Sequence, residues 1–337
     1  MVEVATRARR QVPLAPLLVA AAVLVGAASL VVGPAPIPLT GVVGALAGHA
    51  NPIVSDIVLR LRAPRAILAL LIGAMLGLSG AGLQGLLRNS LADPAVIGTS
   101  SAAALGAVIA LYFGVAKAFP IALPLLAVIG ALTGLAALLP AARRGEGTST
   151  LILAGVAISA LAGAGVSLAL NLAPNPYAVS EIAFWLLGSL TDRSFQHVAL
   201  AAPLIVLGAG LILWQARALD GLALGEDTAR SLGFSLGRVR MMLIAGVALG
   251  VGAAVAVAGS IGFIGLVAPH LVRPFTDGRP SRVLVPAALA GAVLLSLADL
   301  VVRLLPTPTE LRLGVVTAFL GAPVFILVLL RARRLGL

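Results

Sequence analysis

Apolar residues in this chain come in long runs rather than in alternation. Nine stretches of about 20 residues are long enough, at about 1.5 Å of helix rise per residue, to cross a hydrocarbon layer of about 30 Å. They occupy 14–33, 66–87, 95–113, 119–140, 150–172, 198–215, 239–258, 283–304 and 313–330, and a shorter run fills 261–272. The pattern predicts an all-α polytopic membrane protein, a single domain over 1–337 with about ten transmembrane helices. The third and eighth runs are short and broken by glycine, which leaves counts of nine or eight open. Small residues recur at helical spacing, as in Gly73-xxx-Gly77 and Gly246-xxx-Gly250. They let helix backbones approach where lipid supplies no hydrophobic drive.

Composition agrees. The 337 residues are 60% hydrophobic and 10% charged, with a mean hydropathy of +1.13. A soluble chain of this size lacks the polar surface to cover so much apolar side chain, which excludes a soluble enzyme and a disordered chain. Cysteine is absent, so there is no disulfide framework, thiolate nucleophile or thiolate metal site. The first run follows Arg7, Arg9 and Arg10 and is longer than the ~7–15 residues of a signal-peptide core, so it reads as an uncleaved first span.

The net charge of +11 is distributed as a membrane topology requires, and no nucleic-acid partner is expected. With ten crossings, Arg60, Arg62, Arg65, Lys117, Arg193, Arg303 and Arg312 fall on one side, and the other sixteen of the 23 cationic residues fall on the other. The positive-inside rule then puts both termini in the cytoplasm, with 1–13 and 331–337 as cytoplasmic tails. Three of the outside cations crowd into 60–65, a local departure that calls for a function.

Chemistry is sparse. The middles of the spans hold essentially no ionisable residue, which argues against a proton- or sodium-driven carrier. Asp299 and Arg303, four apart near the outer end of the ninth span, read as a local ion pair. The only lysine, Lys117, is not in a phosphate-binding glycine loop, so any ATPase must be a separate polypeptide. His49, His197 and His270 stand alone, without metal-ligand spacing, and no convergent polar set suggests an enzyme. A stand-alone carrier or channel remains the rival reading. One polar stretch, in the 217–238 loop, carries helix signals. Gly225 precedes acidic Glu226 and Asp227, Arg230 lies near the end and Gly233 stops it, the charge order that the helix dipole favours. Such a knob is either mere loop structure or an element that docks into a soluble partner. Finally, Gly80-Ala-Gly-Leu-Gln-Gly-Leu-Leu before Asp93-Pro94 is weakly echoed by Gly259-Ser-Ile-Gly-Phe-Ile-Gly-Leu before Pro269-His270. The pair suggests an inverted repeat.

Several stretches together resemble the FecCD-type permeases of iron-siderophore, haem and cobalamin ABC importers. They are Arg62-Ala-Pro-Arg65; Gly73-Ala74, Gly77, Gly80, Gln84 and Arg88-Asn-Ser-Leu-Ala-Asp-Pro94; Leu153-Ala-Gly-Val-Ala157; and the Gly225–Gly233 knob. The longest is Gly259-x-Ile-Gly-Phe-Ile-Gly-Leu-Val-Ala-Pro-His270-x-x-Arg273, and after it come Ala298-Asp299, Arg303, Leu313-Gly-Val-Val-Thr317 and Gly321-Ala-Pro-Val-Phe325. These fall in the family's order over roughly four-fifths of the chain. Ser90 departs from the proline usual after Asn89.

The resemblance implies a type II ABC importer permease architecture in a bacterial cytoplasmic (inner) membrane. It further implies a dimer of permease subunits, a pair of ATP-binding cassette ATPases inside and a substrate-binding protein outside. The permease itself would be non-catalytic and bind no cofactor, ATP and Mg being used by the ATPase. Residue by residue, the ATPase-docking element maps to Gly225, Glu226, Asp227, Ala229, Arg230, Leu232 and Gly233. Arg62, Arg65 and Arg303 match positions that pair with glutamates of the binding protein. Asn89 and Leu91, with Thr148 and Ser149, match loops that narrow the cytoplasmic exit.

Overall fold

A computed structural model describes residues 14–143, 148–305, 307 and 310–334, and the regular structure among them is helical. In chain order come α1 (Leu14–Val31), α2 (Leu39–Leu46), α3 (Pro52–Asp56), a π-helical segment (Ile57–Arg62), α4 (Ala63–Leu87), a 3-10 turn (Pro94–Ile97), α5 (Thr99–Tyr112) and α6 (Val115–Ala118). Then follow α7 (Ala122–Arg143), α8 (Thr148–Asn171), α9 (Pro176–Leu186), α10 (Phe195–Trp214), α11 (Ala216–Ala223), α12 (Glu226–Ser231) and α13 (Leu236–Ala258). The last are α14 (Ile264–Val272), a 3-10 turn (Arg273–Phe275), α15 (Pro280–Leu304) and α16 (Leu313–Arg334). The expected tail 1–13 with Arg7, Arg9 and Arg10, then Arg144, and the last three residues of the 331–337 tail lie outside the described residues.

Among the described residues seven helices are long and apolar enough to cross a membrane, and α5 and α16 add shorter apolar helices. The eighth predicted span is different. α14 has 9 residues, a rise of about 13 Å, less than half a hydrocarbon layer. The crossing is completed by non-helical residues 259–263, ending at Phe263 in the left-handed region (φ 67°). Irregular backbone at this depth is tolerated only inside protein or along a water-filled cavity; Gly259 and Ile261 are buried, Ser260 and Gly262 are exposed, and two other chain segments pack against the stretch. Ser189 N–H donates to the Ala258 carbonyl (2.7 Å), and the Leu313 and Gly314 N–H groups donate to the Gly188 and Leu187 carbonyls (3.0 Å each). A Cβ on Gly314 would sit 2.3 Å from the Leu187 oxygen, so only glycine admits this approach.

The core is built from helices that are apolar all round, the pattern of a buried span. α4 and α13 are buried along most of their length, whereas α1 buries only Ser29. α4 and α15 run antiparallel with their backbones touching. A Cβ on Gly73 would lie 2.3 Å from the Gly291 oxygen, and one on Gly77 would lie 2.2 Å from the Ala287 oxygen. Gly208 of α10 meets Gly246 and Gly250 of α13 in the same way. The two echoing segments also meet, since a Cβ on Gly80 would collide with the Gly265 oxygen of α14.

The second predicted span is longer than its apolar core. Pro52–Leu87 is one continuous 36-residue rod with a π-helical turn at 57–62, so Arg60, Arg62 and Arg65 ride on a helix rather than in a loop. The end of the bundle that carries them is called the upper end, and the end that carries α11 and α12 the lower.

Replacing Gly291 by leucine should lower the thermal midpoint in detergent, by the equivalent of about 1–3 kcal/mol or more, because the Gly73 carbonyl cannot move aside. Gly210→Ala, with nothing within 4 Å of the new Cβ, should leave the midpoint unchanged or slightly raised.

Candidate functional site

At the upper end the charges around Asp299 are internal. Asp299 is fully buried and shared between two guanidiniums. Arg65 donates from Nε to both carboxylate oxygens (2.9 and 3.2 Å), and Arg303 donates to Oδ2. Arg65 also donates to Glu310, whose other oxygen accepts from the Thr191 hydroxyl (3.0 Å). The local pair expected for Asp299 and Arg303 is therefore one edge of a network joining α4, α15 and the segments before α10 and α16. Glu310 and Thr191 were not foreseen: they lie far in sequence from Arg65, in stretches with no periodic signal.

α1 explains the remaining donors. A helix ends with carbonyls that have no partner of their own. Arg303 Nη1 donates to Ser29 O (2.9 Å) and Val32 O (3.4 Å), and Arg62 donates to Leu30 O (2.9 Å), Val31 O (2.7 Å) and Ala35 O. Two arginines thus cap α1 and complement the negative end of its dipole. Arg62 and Arg303 are buried or nearly so, while Arg60, paired with Asp56 (3.1 Å), has a side chain that is 78% exposed. The three arginines expected to face a binding protein are thus engaged within the chain, around a cavity of about 350 Å³ that Arg193 also lines. Burial disfavours ionisation of Glu310, but the bonds and charge of Arg65 outweigh it and hold the carboxyl below its ordinary range.

At the lower end, Gln84 near the end of α4 ties two segments together. Its Oε1 accepts from Arg273 (2.8 Å) and its Nε2 donates to Ala92 O (3.4 Å). In the 88–94 loop, Asn89 Oδ1 accepts from Leu91 N–H and Asp93 Oδ1 from Ala95 N–H, both at 2.9 Å. Burial pushes the Asp93 carboxyl up, with the Ala95 bond opposing. Asn89, Leu91 and Ser149 are exposed; Thr148 opens α8, and its side chain lies outside the described residues. Contact with α8 comes further along, where Gly98 packs on Gly155 and Ile158, and the Ser159 hydroxyl reaches Ala95 O (3.4 Å).

The knob forms where its signals place it. α12 spans Glu226–Ser231 between Gly225 (φ 118°) and Gly233 (φ 86°), conformations that favour glycine. Ala229 is buried beneath it, while Asp227, Arg230, Leu232 and Gly233 are exposed. Arg230 bridges Asp227 (2.7 Å) and Glu226 (3.2 Å), solvated pairs of little energetic weight. The stronger tie is from Glu226 to Arg240 of α13 (2.7 Å), whose side chain is only 4% exposed. A second tie holds the neighbouring α11, where Asp220 accepts from the Ser281 N–H (2.9 Å) and hydroxyl (2.6 Å) at the start of α15. Neither Arg240 nor Asp220 was foreseen, because one bond spans a loop and the other three whole helices.

A helical bundle of this kind, with a broken span and a short projecting helix between two spans, has the architecture of an ABC importer permease, and comparison with known proteins bears this out. The model of the FecCD transport family matches residues 20–331. The chain is 42% identical over 301 residues to an ABC transporter permease of Bacillus subtilis strain 168, YvrB, described as uncharacterized, covering 87% of this chain and 84% of that protein. It is 43% identical over 281 residues to BtuC of Vibrio cholerae, described as a vitamin B12 import system permease, covering 82% and 83%. A solved metal-chelate type ABC transporter in an inward-facing conformation superposes with a TM-score of 0.82 at 29% identity, covering 94% of this chain and 98% of that one. The chain belongs to the FecCD transport family.

Asp299→Ala would leave two buried guanidiniums without their shared carboxylate and should cost about 3–5 kcal/mol, read from unfolding in detergent. Because the Glu310 pKa is lowered on folding, its stabilisation is complete above the ordinary carboxylate range and lost as pH falls through the folded value. Between about pH 7 and pH 3, Glu310→Gln should therefore flatten the acid limb of the stability profile.

Proposed function

We propose that this chain is the membrane subunit of an ATP-driven importer, and that it passes a metal chelate into the cytoplasm by alternating access. Its lower end faces the cytoplasm, where most of the arginines lie, and both termini are cytoplasmic. Two copies of the chain enclose the path, an ATPase dimer engages α12, and a binding protein delivers substrate to the upper end. Cobalamin is favoured among the chelates by the described function of the BtuC relatives; ferric siderophores and haem are the other candidates.

The observation that carries this reading is α12 itself. A chain with no phosphate-binding loop holds out a short helix, fixed to α13 through Glu226 and Arg240, and such a helix drives a conformational change only if its partner favours one state over the other. At the upper end, Arg60 and Lys117 are the exposed cations among the described residues. For Arg65 to meet a carboxylate of the binding protein, Glu310 must release it.

Radiolabelled cobalamin, haemin and a ferric siderophore should be offered to cells lacking this subunit. Restoring the chain should restore uptake of one of them, cobalamin first. Replacing Glu226 and Arg230 together by alanine should bring that uptake to background while ATP hydrolysis persists. Undiminished coupled uptake by the double variant would refute the docking role of α12.

A further inference from the structure

Beside α12 the lower end carries an open groove of about 550 Å³. One wall is α11, with Arg217, Asp220 and Leu224 at its edge; another is Leu232, just past α12; the third is the turn from Asp277 to Pro280 that opens α15. Leu224 and Leu232 are 72% and 59% exposed. They lie in the polar connection between two spans, so the bilayer core that covers the other bare leucines is not there to cover these. Exposed apolar residues rimmed by charge mark protein contact, and the rim here has both signs, Arg217 and Arg279 against Asp277, which suits a protein surface better than an anionic lipid.

The walls are firmly seated. Leu219 and Leu222 of α11 are buried in the core, and Asp220 clamps α11 to the α15 start through Ser281. The tip of the turn, Gly278, has a positive φ and nothing within 4 Å of the position where a Cβ would stand. The groove is continuous with α12 through Leu224, Gly225 and Leu232.

We propose that this groove is the second half of the ATPase interface, so that the partner seats on the 277–280 turn as well as on α12 and acts directly on α15. The proposal rests on the docking role of α12 and adds a contact to it. The ATPase would then hold two spans at once, α13 through Glu226 and Arg240, and α15 through its own first turn. α15 carries Asp299 and Arg303 near its other end, so this second contact gives the ATPase one continuous helix to the upper ion network.

The test uses the complete absence of cysteine from the chain. Single variants Arg279→Cys, Leu232→Cys and, at the upper end, Asn51→Cys are reacted with a water-soluble maleimide. The permease alone is compared with the complex that it forms with its ATPase subunits in mild detergent. In the complex, labelling of Arg279→Cys and Leu232→Cys should both slow several-fold, with Asn51→Cys unchanged. Protection of Leu232→Cys with free labelling of Arg279→Cys would overturn the groove contact and leave α12 docking intact. Free labelling of both in an assembled complex would overturn both readings. Protection of both in the permease alone, or on adding lipid vesicles alone, would assign the groove to a second copy or to lipid and would also overturn the proposal.

Discussion

In a bilayer an apolar side chain gains little by leaving lipid for the protein interior, so α4 and α15 must be held together by something other than hydrophobicity. They are held by backbone contact. Gly73 and Gly77 face Ala287 and Gly291 at distances that no Cβ permits, and this proximity fixes the register of both helices from end to end. The same register brings Arg65 to Asp299 at the top and sets Gly85 beside Pro280 at the bottom. The buried ion network is therefore a consequence of the glycine contact. It adds an orientation lock, since both guanidiniums lean on one carboxylate that has no water to fall back on.

That lock gives the upper end a definite resting arrangement. Arg62 and Arg303 close the end of α1, and Arg65 and Thr191 hold Glu310. The lower end is built differently, from exposed pairs of low energy on α12 and two firmer ties, one to α13 and one to α15. A stiff bundle with a locked top and a lightly built, projecting bottom suits a device pushed from below. α14 wedged between α4 and α15, with only half a helix to its name, is the place where such a push meets the least regular backbone in the membrane.

Much of this was legible in the sequence, and the limits have physical causes. Helices that cross lipid announce themselves by length and hydropathy, so the long spans were found within a few residues. α12 was found because glycines and charge order are local signals. The ion network was half read: Asp299 and Arg303 are one turn apart, but Arg65, Glu310 and Thr191 join them through tertiary structure alone. Arg62 and Arg65 were read as part of an outer loop because the Pro52–Leu87 rod, with its π-helical turn, extends well beyond the apolar run that marked it, and the bonds of Arg62 and Arg303 to the end of α1 arise from tertiary structure alone. The eighth span was read as a short, glycine-broken run at 261–272, and hydropathy, which counts apolar residues, cannot see that its helix begins only at Ile264, after non-helical residues 259–263. Its glycines, Gly259 and Gly262 with Gly188 and Gly314 elsewhere, were the available hint.

If force from a nucleotide-hydrolysing partner at the lower end drives transport, as proposed, the chain alone should move no substrate. The most direct measurement is uptake of radiolabelled chelate into vesicles containing the purified chain alone, or the chain assembled with its ATPase and binding protein, each with and without ATP. Substrate should accumulate only in the assembled system and only with ATP. Accumulation by the chain alone, or equal accumulation without ATP, would contradict the proposal.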